Sequence, residues 1–356
     1  MTEHSKARGR VTIGIDLGDR QSDVCVVDDQ GAVVGRTQAA TTERGLTTVV
    51  KRYVGARVVV EVGTHSPWVS RLLAGLGHEL IVANPRRVRR IAEQEDKSDR
   101  IDAELLARLG RADPQLLRPI QHRGEQVQRD RALLRVRDGL VRTRTALVVQ
   151  ARGLAKALGH RLPRCDAQAF ATRLACAEGE ELFPGLATLV AVVAEVSRPI
   201  KALDRTIEQV SRARYPATAR LRQVPGVGPI TALTFVVTLE DPARFAKSRS
   251  VGAYLGLRPK RYQSGHADPA LHISKAGDPY LRRTLVQAAH YILGHHGPDT
   301  ALRRFGERVK QRGGRAATKR AAVAVARKLA VLLHRLWVTG APYEPLYGVA
   351  SATAAA

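Results

Sequence analysis

The sequence predicts an α/β domain followed by a long helical remainder, and three observations predict it. Short β-branched runs alternate with helix-periodic stretches up to about residue 115. From Gln126 to Leu158 strand signals stop and apolar residues recur at seven-residue steps. Beyond Leu221 the chain becomes rich in Gly, Arg and Lys and keeps a helical spacing.

The elements follow in order. Val11, Ile13 and Ile15 alternate along a first strand that delivers Asp16 at its end, and Gly18 turns the chain into a second, Asp23 to Asp28. Asp29-Gln30-Gly31 is a turn, and Ala32 to Gly35 returns, completing a meander. Leu46, Val49, Val50 and Tyr53 are spaced as a helix, as are Trp68, Leu72, Leu73 and Leu76, which stop at Gly77. Arg57–Glu61 is a short β-branched strand, and His78–Ala83 is another, ending at Asn84-Pro85. A helix from about Arg86 through Leu109 closes the domain, giving the order β-β-β-α-β-α-β-α, which is that of ribonuclease H-like domains.

The middle section is a long amphipathic helix with a seam at Leu133, Leu140, Leu147 and Leu154, flanked by Leu134, Val141, Val148 and Ala155. After a loop from Pro163 to Gly179, a second helix carries Leu186, Leu189, Val193 and Val196 and resumes with Leu203, Ile207 and Val210; Pro199 is expected to kink or split it. The pair reads as an intramolecular hairpin or as a dimerisation arm, and the two are compatible. The expected boundaries are a disordered basic tail at 1–10, the α/β domain at 11–115, the helical coiled-coil region at 116–218, a small, mostly helical domain at 219–343 and a disordered Ala-rich tail at 344–356.

Charge narrows the partners. Lys and Arg number 58 against 33 Asp and Glu, a net +25, and the pI is near 11.0. Such a surface repels itself and is tolerated most easily when a polyanion neutralises it, so nucleic acid is the expected partner. Cys25, Cys165 and Cys176 lie far apart with no C-x-x-C, which implies neither a zinc site nor a disulfide framework and fits a reducing cytoplasm. The first ten residues contain no apolar h-region and no later run has membrane-spanning length.

Three constellations carry chemistry. Asp16 and Glu61 end strands that are neighbours in a ribonuclease H-like sheet, and Asp99 and Asp102 share one helical face. Four converging carboxylates would repel one another, and divalent metal is the natural remedy. Taken singly, each acid reads as a solvated surface residue sooner than as a catalytic one, Asp99 and Asp102 being flanked by Lys97 and Arg100; only together, in this strand order, do they favour a metal site. An acid at the end of a first strand also serves actin-like sugar kinases, but these need a second phosphate loop in a C-terminal half of the same fold, and here that half is helical and basic. Second, Val224-Pro-Gly-Val-Gly-Pro-Ile-Thr-Ala232 reads as a helix-hairpin-helix element in which Gly226 and Gly228 permit the tight turn and backbone N–H groups receive a phosphate, or as an ordinary αα turn. Third, Ser264 precedes Gly265 in a segment with Lys260, Arg261, Lys275, Arg282 and Arg283 nearby, the parts of a phosphate-directed nucleophile, although by itself Ser-Gly is a common loop dipeptide and reads as an ordinary loop. His290, His295 and His296 lack partners at metal spacing and read as surface or core residues.

GIDLG, VVEVGTHSPW, ANPRRVR, KSDRIDAELLA, PGVGPITA, GLRPKRYQSG and ISKAGDPYLRR, in that order from Val11 to Tyr343, resemble the insertion-sequence 110 transposases, also called DEDD recombinases, some of which are guided by a bridge RNA. The resemblance implies a RuvC-like domain joined through a helical coiled-coil region to a smaller transposase domain. It implies metal ligation by Asp16, Glu61, Asp99 and Asp102, with Mg²⁺ or alternatively Mn²⁺, and a nucleophilic Ser264 that forms a covalent phosphoserine bond to a DNA 5′ phosphate. It further implies action on element ends and target DNA, a noncoding guide RNA, and dimers that pair into a tetramer with composite active sites. One departure is visible: after Glu61 the chain reads Val-Gly-Thr where many members read Ala-Thr-Gly. A Holliday-junction-resolvase-like nuclease using the four acids and water, and an inert nucleic-acid-binding relic, are the alternatives.

Overall fold

The computed structural model describes residues 10–85, 88, 99–175, 184–260, 262 and 271–347, with the backbone alone at 99 and 100. The chain divides into two compact units, Met1–Gly124 and Glu125–Ala356.

The first unit is built on a five-stranded sheet of order β3-β2-β1-β4-β5. Its strands are β1 (Thr12–Asp16), β2 (Gln21–Val27), β3 (Val33–Ala40), β4 (Arg57–Glu61) and β5 (Glu79–Ala83). β1, β2 and β3 form the antiparallel meander, while β4 is parallel to β1 and β5 to β4. The meander's turn is held by Asp28, whose Oδ1 accepts from the N–H groups of Gln30 (3.0 Å) and Ala32 (2.8 Å), with Gly31 at φ 88°.

Period-2 alternation gives the sheet two buried faces. Ile13, Ile15, Val24, Val26, Val58 and Val60 face one way, into a core shared with α1 (Glu43–Val50) and α2 (Ser66–Gly75). Cys25, Val27, Val59 and Ile81 face the other way, against α3 (Asp99–Ala112). Val58, Val59 and Val60 are all fully buried, which is why β4 reads as a continuous apolar run rather than an alternating one.

α3 lies unusually close to the sheet because Gly14 and Gly110 carry no side chains. A Cβ on Gly14 would stand 2.0 Å from the Ala103 carbonyl oxygen and 2.6 Å from the Ala107 nitrogen, and one on Gly110 would meet Val59 Cγ2 at 2.2 Å. The helix is also tied down by polar bonds. Arg57 Nη1 donates to the Gly110 carbonyl (2.9 Å), Arg108 Nη1 to that of Gly31 (3.0 Å) and Arg111 Nη1 to that of Asp29 (3.0 Å). The expected helix segment from Arg86 to Ser98 lies, apart from Val88, outside the described residues.

The second unit opens with the long helix α4 (Glu125–Ala157), followed by the short α5 (Phe170–Ala175) and the long α6 (Pro184–Arg214). α4 and α6 pack as an antiparallel hairpin. Val148, Ala151 and Ala155 meet Leu186 and Val193 at one end, and Leu134 meets Ile207 and Val210 at the other. The seam runs along Leu134, Val148 and Ala155, whereas Leu154 is 43% exposed. Two heptad rows lie side by side in the sequence, and only the position of the partner helix selects between them. α5 falls inside the expected loop; Phe170 and Leu174 are buried against α4 and α6 and make it a lid on that end of the hairpin.

Pro199 does not split α6, which runs unbroken through it. Its ring lies on the exposed face, and packing of Val193, Ile200 and Ile207 on either side keeps the helical path.

The rest of this unit comprises α7 (Ala217–Leu221), α8 (Pro229–Leu239), α9 (Arg249–Tyr254), α10 (Pro279–Leu293), α11 (Ala301–Gln311) and α12 (Ala317–Thr339). α8 is buried on all sides from Thr231 to Leu239, and α12 supplies Val325, Leu329, Leu333 and Leu336 to the same core. Residues 344–347, expected in the terminal tail, are exposed but tied to the domain: the Pro345 carbonyl accepts from the Ala301 N–H (2.7 Å) and Arg335 lies over the Tyr347 ring. Residues 1–9 and 348–356 lie outside the described residues.

Candidate active site

Asp16 and Glu61 end β1 and β4, and the parallel register that pairs Ile15 with Val60 puts these two acids next to each other at the carboxyl edge of the sheet. Both are half-buried. Asp23 is the antiparallel neighbour of Asp16 on β2, and Gln38 Nε2 donates to it (3.2 Å).

The direction of α3 brings the remaining acids to the same edge. Gly110 sits over Thr12 and Val59, while Ala103 and Ala107 straddle Gly14, so the helix N-terminus points the way β1 runs, toward Asp16. Two strand residues beyond Gly14 is ~7 Å, which is ~4–5 helical residues back from the midpoint of Ala103 and Ala107. That level is the turn bearing Asp99 and Asp102. Asp102 is half-buried and one turn from Leu106, which packs on Val59, Ile81 and Ala83. The Asp99 side chain lies outside the described residues. Among the described residues no group of three or more His, Cys, Asp or Glu could hold a metal ion as they stand. The donor set still suits a hard divalent cation, being all carboxylate oxygen from adjacent strand ends and one helix turn.

Sequence reasoning passed over a second feature of this edge. The loops leaving β1 and β4 carry Asp19 and His65, and His65 Nε2 stands 3.4 Å from Asp19 Oδ1. The His65 Nδ1 accepts a hydrogen bond from Trp68 Nε1 (3.1 Å), with the two rings edge to face at a 6.2 Å centroid separation. Ser66 Oγ closes the same loop by accepting from the Gly63 N–H (3.0 Å) and donating to the Gly63 carbonyl (2.9 Å). The signal was present in the spacing of Glu61, His65 and Trp68, but nothing in it told a ligand-facing imidazole from a surface one.

In the second unit Ser264 and Arg261 lie outside the described residues, and the stem that presents them is described. Pro259 bridges to Ile273, the Lys260 N–H donates to the His272 carbonyl (3.0 Å) and the Ser274 N–H to the Arg258 carbonyl (2.9 Å). Lys260 and Lys275 are exposed, Lys275 at φ 54°. Leu257, Pro259 and Ile273 of the stem also wall an apolar groove of about 1250 Å³, rimmed by Lys319, Arg320, Arg327, Lys328 and Arg335.

The other two cations proposed for this neighbourhood are engaged elsewhere. Arg282 Nη1 donates to the carbonyls of Leu255 (3.0 Å) and Ala276 (2.8 Å). Arg283 pairs with Asp138 and lies over the Tyr280 ring. Beside them Asp278 caps α10, accepting from the N–H groups of Tyr280 (2.8 Å) and Leu281 (2.9 Å), and takes Arg131 and Arg135 at 2.7 Å each. Burial pushes its carboxyl up, but the Leu281 N–H and the two guanidinium groups outweigh that and hold it below the usual carboxylate range.

The glycine hairpin requires a correction. Gly226 has φ 80°, and a Cβ there would stand 2.9 Å from the Ala288 carbonyl oxygen. Gly228 has φ −84° and ψ −179°, open to any residue, with nothing within 4 Å of a Cβ. Gly226 alone is required by backbone geometry, whereas Gly228 is an exposed helix N-cap that makes no side-chain cap.

Two family models match the chain, an IS110-type DEDD transposase model over residues 13–158 and the "Transposase IS116/IS110/IS902 family" over residues 218–304. The transposase for insertion sequence element IS1328 of Yersinia enterocolitica is 31% identical over 79% of this chain and 83% of its own length. The chain belongs to the insertion-sequence 110 family of transposases. The transposase for IS1111A of Coxiella burnetii is 29% identical over 80% of this chain and 78% of its own length. A pilin gene-inverting protein of Moraxella lacunata is 27% identical over 42% of this chain and 46% of its own length. A transposase acts on DNA, and the excess of cations provides the attraction for it. A DEDD-type domain also points to divalent metal use. No described helix of this transposase is long and apolar enough to cross a membrane.

Proposed function

We propose that this transposase cuts and rejoins the ends of its own insertion sequence through a covalent phosphoserine intermediate, with Asp16, Glu61, Asp99 and Asp102 as the metal-binding acids and Ser264 as the nucleophile. The observation that carries the reading is the alignment of Asp16 with Glu61 on adjacent parallel strands, below the helix turn that carries Asp99 and Asp102. Divalent metal, Mg²⁺ or Mn²⁺, supplies activation of an attacking oxygen and stabilisation of a leaving one when bound by these carboxylates.

The chain's own residues do the rest. The acids hold the reaction centre at a rigid strand edge, and α3 is locked to that edge by Gly14, Gly110 and Arg57. Ser264 Oγ gives up its proton to water as it attacks the phosphorus, a bond to the DNA 5′ phosphate forms, and the 3′ oxygen of the preceding nucleotide leaves and takes a proton from water to become a hydroxyl. Lys260 and Lys275, at the ends of the stem, offset the charge developing on the phosphoryl oxygens. Because the phosphodiester energy is conserved in the serine ester, a 3′ hydroxyl can later resolve it without ATP. A bridge RNA choosing the DNA, and dimers pairing into a tetramer with composite sites, complete the proposal.

The test is chemical. Wild-type protein incubated with element-end DNA and Mg²⁺ should yield a protein-DNA adduct on denaturing electrophoresis that maps to Ser264, and Ser264→Ala should yield none while still binding nucleic acid. Cleavage by the wild type with no adduct would make water the nucleophile.

A further inference from the structure

The edge that holds the acids also holds a hydrogen-bond donor with a fixed orientation. Trp68 is packed against the core of the first unit, and its indole N–H points at His65 Nδ1. An imidazole nitrogen that accepts a hydrogen bond cannot carry a proton, so the proton of His65 sits on Nε2. Nε2 faces the loop that leaves Asp16, and its partner there is a weak one: Asp19 is 3.4 Å away and its side chain is 93% exposed. Hydrated carboxylates at that distance hold a donor loosely and yield it to an acceptor placed closer. A phosphodiester brought to Asp16 and Glu61 presents such acceptors, and His65 follows Glu61 by one short loop that Ser66 holds closed.

We propose that His65 is a phosphate-positioning residue: its Nε2–H, oriented by Trp68, leaves Asp19 and donates to a non-bridging oxygen of the DNA phosphodiester at the Asp16–Glu61 edge. This rests on the reading of that edge as the active site. No proton is transferred; the imidazole binds and orients the phosphoryl group as it reacts.

The test uses paired isosteres in the full chain. Glutamine places its amide nitrogen where Nε2 was, whereas asparagine places its oxygen where Nδ1 was and so keeps the Trp68 bond without the outward donor. H65Q should bind and cleave element-end duplex DNA within about threefold of wild type, whereas H65N should lose about 10- to 100-fold, the worth of one hydrogen bond to a charged group. D19N, which replaces the competing carboxylate with a neutral and weaker acceptor, should bind DNA at least as well as wild type. Independently of cleavage, the ¹⁵N-labelled imidazole should show a proton on Nε2 in free protein, and that resonance should move when the same duplex is added. Equal behaviour of H65N and H65Q, weakened binding by D19N, or an Nε2 resonance indifferent to DNA would each overturn the assignment. Normal adduct formation by H65N would sink this inference alone, whereas absence of a Ser264 adduct in wild type with the DNA-induced resonance shift intact would sink the phosphoserine reading and leave this one standing.

Discussion

In the first unit the residues that mark the family stand at the ends of β1 and β4, half-buried at an open sheet edge, with the architecture delegated to glycines and valines behind them. In the second unit the ISKAGDPYLRR stretch is occupied by architecture. Asp278 caps a helix and takes two arginines, Arg282 binds two carbonyls, and Gly277, at φ 73°, leaves room for the Tyr254 carbonyl that a Cβ would meet at 2.1 Å. Both stretches look alike in the sequence, each a short motif of charged residues and glycine. The difference teaches that in this chain the motif residues at the strand ends are left half-buried where the sheet ends, whereas those at the helix start are spent on holding the scaffold.

The strongest way to break that contrast is to remove the acids. Asp16→Asn, Glu61→Gln and Asp102→Ala should each lower strand transfer by on the order of 10²–10³-fold or more, because in the proposed function each removes a carboxylate that would hold the metal. Their melting temperatures should stay at or slightly above that of wild type, since adjacent like charges are relieved. A melting temperature that falls with activity would make these residues architectural like their counterparts in the second unit.

Asp278 should behave in the opposite way. Its side chain is 8% exposed, so Asp278→Ala leaves two guanidinium groups and a helix start without their partner and should cost ~3–5 kcal/mol of stability. The pH dependence follows from its lowered carboxyl. A depressed folded-state value gives a contribution that is complete above the ordinary carboxylate range and is lost as pH falls from about 4 through the folded value. Asp278→Asn should therefore flatten acid unfolding in that window, as read by denaturant midpoints at successive pH values.

Gly14 sharpens the comparison from the first unit's side. Gly14→Ala forces a Cβ into the backbone of α3 and should cost ~1–3 kcal/mol by overpacking. Because the same helix positions Asp102, strand transfer should fall by more than the stability loss explains. Activity unchanged in a folded Gly14→Ala protein would detach α3 from the site.

How much of this was legible in the sequence depends on how local the cause is. The strands of the first unit were readable because alternation and β-branching are local, and Glu61 closes β4 as expected. The engagement of Arg283 was not readable, because its partner Asp138 is 145 residues away in the chain. Pro199 reads as a kink or a break in the sequence because the rule concerns the missing N–H; burial on either side and an exposed ring keep the helix continuous. The difference between Gly226 and Gly228 is likewise tertiary, since α10 crowds only the first. Ser264 reads as a candidate nucleophile only through the company of neighbouring motifs.

The smallest expected effect settles whether the Gly226–Gly228 turn belongs with the outward-facing motifs or with the scaffold. Gly228 is the N-cap of α8, exposed, and free of neighbours within 4 Å of a Cβ. Serine and aspartate are both good N-caps, so Gly228→Ser and Gly228→Asp should each stabilise the protein by a few tenths of a kcal/mol, ~0.5 at most. They differ in charge: aspartate puts a carboxylate where a phosphate would sit if the turn gripped a nucleic-acid backbone, and serine does not. A phosphate grip therefore predicts weaker DNA binding for Gly228→Asp than for Gly228→Ser at equal stability, with a gap that narrows as salt rises. Equal affinity across the salt series would make the turn scaffold, held by the contact of Gly226 with α10 and by nothing outside the protein.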